Sequence, residues 1–515
     1  MCGIIGSVVI LCVGAILVVV SCLVTFIAIP SLIENFVINS VVLLEDTIQM
    51  ERFEDVPFYL NFSVTIFNIS NPNEVLNGGV AAVDESGPYV YRLYQGRNVS
   101  GLEDDLITYR KTEYFEFDAE ASYPYTEDDI VTIINVPYHA IIQIAERNFP
   151  ELMSVLPLAM NGIFGQYNNP IMNVRAGDLV IDKIPMCTRP GIIGTIACAA
   201  IREMASTADN IEVQDDGSVT FSILANKHNV ASPKYEVYRG LTEPRNLGII
   251  RHFDGLPYFN YWTDEEGEDG EVIKSRCNDI NGTDSGIFPP LLNRNNNLYA
   301  INTDICRSVE LRFQGEVEFE DIPAYRYSAN EWFLDNDDGC FCLNTTAGIT
   351  QENGCLFKGA MELYSCVGGF MVLSYPHFLY ADLRYRNGIL GMTPIEDDHK
   401  IFMDIEPLTG TPLKGAKRAQ FNIFSRPVNG ISATQNLRTT LMPIFWIEEA
   451  FELPSEFVDE LTTRMIRPLH LLNILLPTLI AVCCMTLLVG IILTIRAKSK
   501  KPIVPTSAPG ISQSK

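Results

Sequence analysis

Two uncharged apolar stretches, one at each end, constrain this chain more than anything between them. Residues 2–33 carry no charged side chain, and the first to appear is Glu34. A second run covers residues 471–495, contains Asn473 and Pro477, and is followed by Arg496, Lys498, Lys500 and Lys501. Crossing hydrocarbon takes about 20 apolar residues. A cleaved leader would have a basic start and a core of about 7–15 residues. The first run has neither, so it reads as a retained span. A buried core helix is the alternative for the second run, and the basic cluster directly after it argues for a stop-transfer segment. Asn and Pro are tolerated in spans whose neighbours re-satisfy the backbone. The basic tail marks the cytoplasmic side, which makes the chain a two-pass hairpin with both termini cytosolic. The expected layout is a cytosolic start (1–3), a first span (4–30), an ectodomain (31–470), a second span (471–495) and a cytosolic basic tail (496–515). A tail of about twenty residues is too small for a folded catalytic domain, so the activity resides in the ectodomain.

The charge balance excludes one class of partner. Of 515 residues, 63 are Asp or Glu against 37 Lys or Arg, a net charge of -26. Such a surface repels nucleic acid. Five N-x-[ST] triplets begin at Asn61, Asn68, Asn98, Asn281 and Asn344, all between the spans, as expected of glycosylation in the extracytoplasmic compartment. The thirteen cysteines divide by position. Cys2, Cys12, Cys22, Cys483 and Cys484 lie in or beside the spans, and Cys2 is a candidate for acylation on the cytosolic side. Cys187, Cys198, Cys277, Cys306, Cys340, Cys342, Cys355 and Cys366 lie between them. An even number in an oxidising compartment reads as disulfides, and the residues alone do not choose the pairing. Zinc is the rival, but Cys340-x-Cys342 has the wrong gap and no His follows at ligand spacing.

Between the spans, period-two alternation is frequent. Leu60, Phe62, Val64 and Ile66 alternate with polar residues, as do Leu311, Phe313, Val317 and Phe319, while Val219, Phe221 and Ile223 repeat the period. These predict half-buried antiparallel strands. Helices are expected over residues 139–163, 191–205 and 456–469, and loops over 264–271 and 293–297. The class is α+β. No G-x-S-x-G elbow, H-E-x-x-H or phosphate loop is present. His399 follows Asp397 and Asp398, but a charged turn explains it better than an acid–base pair. His377 suits a hydrogen-bonded core position. The acidic pair Glu448-Glu449 is unremarkable in so acidic a chain. The chain reads as no enzyme, with no cofactor and no metal.

Longer motifs are more specific. Asn68-Ile-Ser-Asn-Pro, Gly87-Pro-Tyr-Val-Tyr-Arg, Cys277-Asn-Asp-Ile-Asn-Gly-Thr-Asp and Asp304-Ile-Cys-Arg-Ser occur in order. Cys340-Phe-Cys, Pro376-His-Phe-Leu-Tyr-Ala, Asp404-Ile-Glu-Pro-Leu-Thr-Gly, Ala416-Lys-Arg-Ala-Gln and Pro443-Ile-Phe-Trp follow. With the two terminal runs they resemble, over essentially the whole chain, the class B scavenger receptors. These are the fatty-acid translocases, lysosomal integral membrane proteins and insect sensory neuron membrane proteins. Phe115-Glu-Phe-Asp-Ala-Glu-Ala-Ser and Glu127-Asp-Asp-Ile-Val-Thr look closest to the insect branches. The resemblance implies a large extracellular antiparallel β-barrel with an apical helical bundle and an internal hydrophobic tunnel, flanked by two transmembrane helices. It implies disulfides Cys277–Cys340, Cys306–Cys366 and Cys342–Cys355. Cys187 and Cys198 stand outside that set, and their closeness suggests an extra local bridge, as in invertebrate members.

The resemblance also sets the functional expectation: a cell-surface receptor that binds and transfers lipids, fatty-acid derivatives or lipoprotein particles through the tunnel. One alternative is a sensory co-receptor that delivers fatty-derived pheromones to a channel. Another is an adhesion receptor for apoptotic cells or pathogens without lipid transfer. Two departures shape the expectation. Residues 148–174 contain no Lys or Arg where anion-binding relatives place apical lysines, so anion capture there is disfavoured. The tail lacks the acidic dileucine of the lysosomal relatives, which points to the plasma membrane. If residues 139–163 form one helix, Phe149, Leu152, Met153 and Leu156 share a face. That face is a candidate lipid-access patch, with ordinary core packing as the alternative.

Overall fold

The computed structural model describes residues 2–205, 208, 210–225, 227–266, 269–336 and 339–499. The chain divides into two compact units. One draws on Met1–Ser40 and Ser455–Lys515, the other on Val41–Pro454.

The terminal unit is helical. Two helical runs, Ile5–Val41 and Ser455–Ser499, are long and apolar enough to cross a membrane. Both outrun the expected 4–30 and 471–495. Each contains one widened π turn, at Val24–Ala28 and Thr462–Ile466, placed just before Pro30 and Pro468. Proline lacks the N–H for the regular ladder and crowds the carbonyl four residues back, and a π turn is where a helix absorbs such a defect. The side chain of Cys2 and residues 500–515 lie outside the described residues, so the acylation site and most of the basic tail stay at the level of sequence.

The larger unit is built on one antiparallel sheet. Its main path comprises β1 (Leu60–Ile69), β2 (Ala81–Glu103), β3 (Leu106–Phe117), β4 (Lys234–Tyr238), β5 (Ile250–Phe253) and β6 (Leu298–Asn302). It continues with β7 (Arg307–Phe319), β8 (Ile322–Ala329), β9 (Ile401–Ile405), β10 (Pro412–Ser425) and β11 (Thr440–Glu452). The spatial order is β5-β4-β3-β2-β1-β11-β10-β9-β8-β7-β6. Every neighbour is a sequence neighbour except β1 and β11, the first and last strands. The path is therefore a cyclic permutation of chain order. At its two ends, Gly282 and Thr283 bond to both terminal strands. Ile250 N–H donates to Gly282 C=O at 2.9 Å, Thr283 N–H to Tyr299 C=O at 3.1 Å, and Ile301 N–H to Thr283 C=O at 2.8 Å.

Alternation fixes which face is inside. In β1, Leu60, Phe62, Val64 and Ile66 are buried. Phe62 stands opposite Tyr91 of β2 and Glu449 of β11, and its ring meets Phe115 of β3 edge-on at 5.0 Å. The 219–223 alternation yields only a short strand, Val219–Phe221, with all three residues buried. Of the acidic stretch 264–271, Glu265–Glu266 pairs with Val272–Ile273 as a small ribbon, and residues 267–268 lie outside the described residues.

Four disulfides tie this unit: Cys187–Cys198, Cys277–Cys340, Cys306–Cys366 and Cys342–Cys355.

Candidate functional site

Three helices frame the candidate site: α1 (Val136–Asn148), whose large apolar residues are buried, and α2 (Leu156–Phe164) and α3 (Gly191–Ala205), which carry exposed apolar side chains. The Asn135 side chain caps α1 by accepting from Tyr138 N–H, and Pro137 sits in the first turn, where its missing N–H costs nothing. The helix expected over 139–163 does not run through. Pro150 ends it, and Phe149 before it leaves the helical region at φ -139° and ψ 53°. A single tight turn, Pro150–Leu152, leads to α2, which has Pro157 in its own first turn.

That break corrects the access patch. Phe149 and Leu152 are exposed, whereas Met153 and Leu156 are buried in the main core, so the four residues do not share one helical face. The exposed apolar face is instead made by Leu152, Val155 and Leu158 with Ile192, Ile193 and Ile196 of α3. Ile192 is 90% exposed, Ile196 75% and Leu158 67%. The α3 residues were legible only as a helix. Their exposure was hidden because its amphipathic pattern alone does not say which face a partner covers.

The face is held rigidly. A Cβ on Gly162 of α2 would fall 2.2 Å from the Pro190 carbonyl oxygen, so the helices touch backbone to backbone. Cys187–Cys198 staples α3 to the turn just before it, and Arg202 Nε donates to Gly217 C=O at 2.6 Å. Below the face, His139 is buried with Nε2 3.2 Å from the Pro170 carbonyl, and burial pulls it down to about 4 from its ordinary 6.5. Arg426 pairs with Glu146 of α1.

His377 and His399 stack with ring centroids 4.6 Å apart. Both Nδ1 atoms are taken as acceptors, from Thr393 N–H at 3.1 Å and Ile395 N–H at 2.9 Å. His377 Nε2 lies 2.9 Å from Glu85, which also accepts from Trp446 at 2.7 Å. Burial pushes the Glu85 carboxyl up, and these hydrogen bonds more than offset it, leaving it below the usual range. Burial and the neighbouring His377 bring His399 down to about 4. His399 is thus the buried end of the charged turn Glu396–His399, whose acidic residues precede it. Glu448 and Glu449 point to opposite faces of β11, paired with Arg418 at 2.5 Å and Lys417 at 2.6 Å. Among the described residues, no cluster of three or more His, Cys, Asp or Glu groups could hold a metal.

Asn61, Asn98, Asn281 and Asn344 are exposed. Asn68 is half-buried, and its Oδ1 accepts from Thr132 N–H at 2.8 Å.

The family model described as CD36 family matches residues 12–494. Similar proteins include sensory neuron membrane protein 2 of Drosophila melanogaster, 33% identical, with 86% of this chain and 89% of that protein covered. Sensory neuron membrane protein 2 of Aedes aegypti is 32% identical, covering 84% of this chain and 88% of its own. Sensory neuron membrane protein 1 of Pediculus humanus subsp. corporis is 31% identical, covering 89% and 86%.

Proposed function

The chain belongs to the CD36 family, and from that premise we propose that it is a two-pass plasma-membrane receptor that captures lipids and passes them along an internal lumen. The observation that carries the reading is the exposed apolar face of α2 and α3. Isolated exposed side chains are ordinary, but several large apolar residues exposed on two touching helices mark a binding surface. Each buried CH₂ of a captured chain gains about 0.8 kcal/mol, so a long acyl tail needs few polar contacts.

The lumen is supported by the cyclic strand order and by the hydrogen bonds of Gly282 and Thr283 to β5 and β6, which together favour a closed barrel. On this reading both termini are cytosolic, and the exposed sequons Asn61, Asn98, Asn281 and Asn344 carry glycans. The access role belongs to Leu152, Val155, Leu158 and the α3 isoleucines, with Phe149 beside them.

The test is mass spectrometry of lipid retained by the glycosylated ectodomain, with Ile196→Glu and Leu158→Glu beside the parent. Retained lipid that falls in variants still delivered to the cell surface supports the reading. A parent that holds no lipid overturns it in favour of surface recognition without transfer. A second reading, a sensory co-receptor handing fatty-derived ligands to a channel, draws on the relatives named sensory neuron membrane proteins. Expression confined to non-sensory tissue would count against it.

A further inference from the structure

The inner face of the sheet does not stay apolar. Lys111 and Glu113 are alternate residues of β3, and Lys417 of β10 stands opposite Glu449 of β11. Register puts them on the face that carries Phe62 and Phe115, because Glu449 faces Phe62 and Phe115 follows Glu113 at the strand period. Two turns add Lys227 and Asp304. Lys227 Nζ lies 2.5 Å from Asp304 and 4.0 Å from Glu113, and Lys417 Nζ lies 2.6 Å from Glu449. Lys111 Nζ lies 3.1 Å from Asp284, whose charge is already met by Arg97 at 2.9 Å.

These groups act on one another. Burial pushes the Glu449 carboxyl up, and Lys417, Lys227 and Lys111 more than offset it, holding it below the usual range. Burial pulls the Lys227 ammonium down, and Asp304, Glu113 and Glu449 reverse that. Strands β3 and β11 are three ladder steps apart, roughly 14 Å along the sheet. Their charges therefore meet across its concave side. The groups lie deep, yet Lys227, Asp304 and Lys417 keep 34%, 33% and 33% of their side-chain surface open. On the closed-barrel reading above, that open surface faces the lumen.

The composition of the row sets its chemistry. Three lysines are matched by Glu113, Asp304 and Glu449, so it is charge-balanced. An ammonium has three N–H donors, and Lys417 bonds one carboxylate. Donors and acceptors remain for a guest without breaking a pair. A carboxylate or phosphate would add an unmatched negative charge in a site shielded from bulk water, where such charges are costly.

Resting on the lipid-carrying reading above, we infer that this row is a polar-end subsite for neutral long-chain lipids. The tail lies along the aromatic face beside Phe62 and Phe115. The hydroxyl, ester or aldehyde end accepts from Lys227 or Lys417, with Glu113 and Glu449 as acceptors for a hydroxyl.

The test uses the full chain in nanodiscs at alkaline pH with radiolabelled hexadecanol, hexadecyl acetate and hexadecanoate, which differ only at the polar end. The parent is expected to hold the two neutral probes at least about tenfold more tightly than hexadecanoate, one unmatched charge being worth a decade or more. Glu449→Gln leaves the row one positive charge in excess and is expected to narrow or invert that preference. Glu113→Gln carries the same expectation should Glu449→Gln not fold. Lys417→Gln is expected to widen it. Equal or reversed preference in the parent overturns the subsite while leaving lipid binding intact. So does a preference unmoved by folded variants. A parent that retains none of the three probes overturns the subsite and the lipid-carrying reading together.

Discussion

Gly162 of α2 and Gly194 of α3 meet where the two helices cross: a Cβ built on Gly194 would lie 3.1 Å from the Gly162 Cα. Their contact sets the spacing of the exposed isoleucines. Space, not backbone conformation, is what requires glycine at 162, since its Cβ would lie 2.2 Å from the Pro190 oxygen. Gly162→Ala is expected to cost about 1–3 kcal/mol through overpacking. Gly165 is the opposite case, with φ +54° and nothing within 4 Å of its Cβ. Gly165→Ala is expected to cost about 1–3 kcal/mol from backbone strain alone, since φ +54° with ψ -119° is a region that glycine fills and other residues rarely adopt. Thermal denaturation reads both variants, and a Gly162→Ala protein that melts like the parent would refute the packing argument.

The disulfides should differ in worth with the loops they close. Cys306–Cys366 spans 60 residues and Cys187–Cys198 spans 11. In the loop-entropy model the longer closure contributes about 1.5 kcal/mol more. Cys306→Ser is therefore expected to impair surface delivery more than Cys187→Ser. The shorter bridge holds α3, so its loss should act mainly on lipid retention. Surface biotinylation with a parallel retention assay tests both halves, and a reversed order would contradict the model.

Acid should destabilise the larger unit through two histidines. His139 and His399 both fall to about 4 in the folded chain, from 6.5. Between those values the unfolded chain binds more protons than the folded one, so stability rises with pH there. The contribution is full above about pH 6.5 and is lost as pH falls towards 4. Each group is worth at most about 3 kcal/mol. Melting temperature should decline across that window, and His139→Gln should remove part of the slope. A flat profile from pH 7 to 4 would exclude the role.

Sequence alone carried the terminal helices, the strand face beginning at Leu60 and the bounds of α3, because each rests on a local period. It missed the break at Pro150, where a helical apolar spacing competed with one residue that cannot continue the ladder. It also missed the charged row. Lys111 and Glu113 interrupt the apolar run of their strand face, and their partners, Asp284 and Lys227, come from far along the chain, as does Asp304, 77 residues from Lys227. Such pairs have no local signature, and only the register reveals them. Three of the disulfide pairings likewise came from family resemblance, and only Cys187–Cys198 from closeness in sequence.

Glycine should also decide how closely the two terminal helices pack. A Cβ on Gly14 would lie 2.7 Å from the Leu487 Cα, and one on Gly490 2.7 Å from the Leu11 Cα. In hydrocarbon no hydrophobic force draws helices together, so close backbone approach over small residues supplies the packing. Gly14→Leu and Gly490→Leu are each expected to lower the thermal stability of the full chain in detergent by about 1–3 kcal/mol. Gly6→Leu is the internal control, because nothing lies within 4 Å of its Cβ and any shared effect of added bulk on insertion would appear there too. If Gly490→Leu melts like Gly6→Leu, the crossing does not contribute to stability, and the helices are held only by their connection through the rest of the chain.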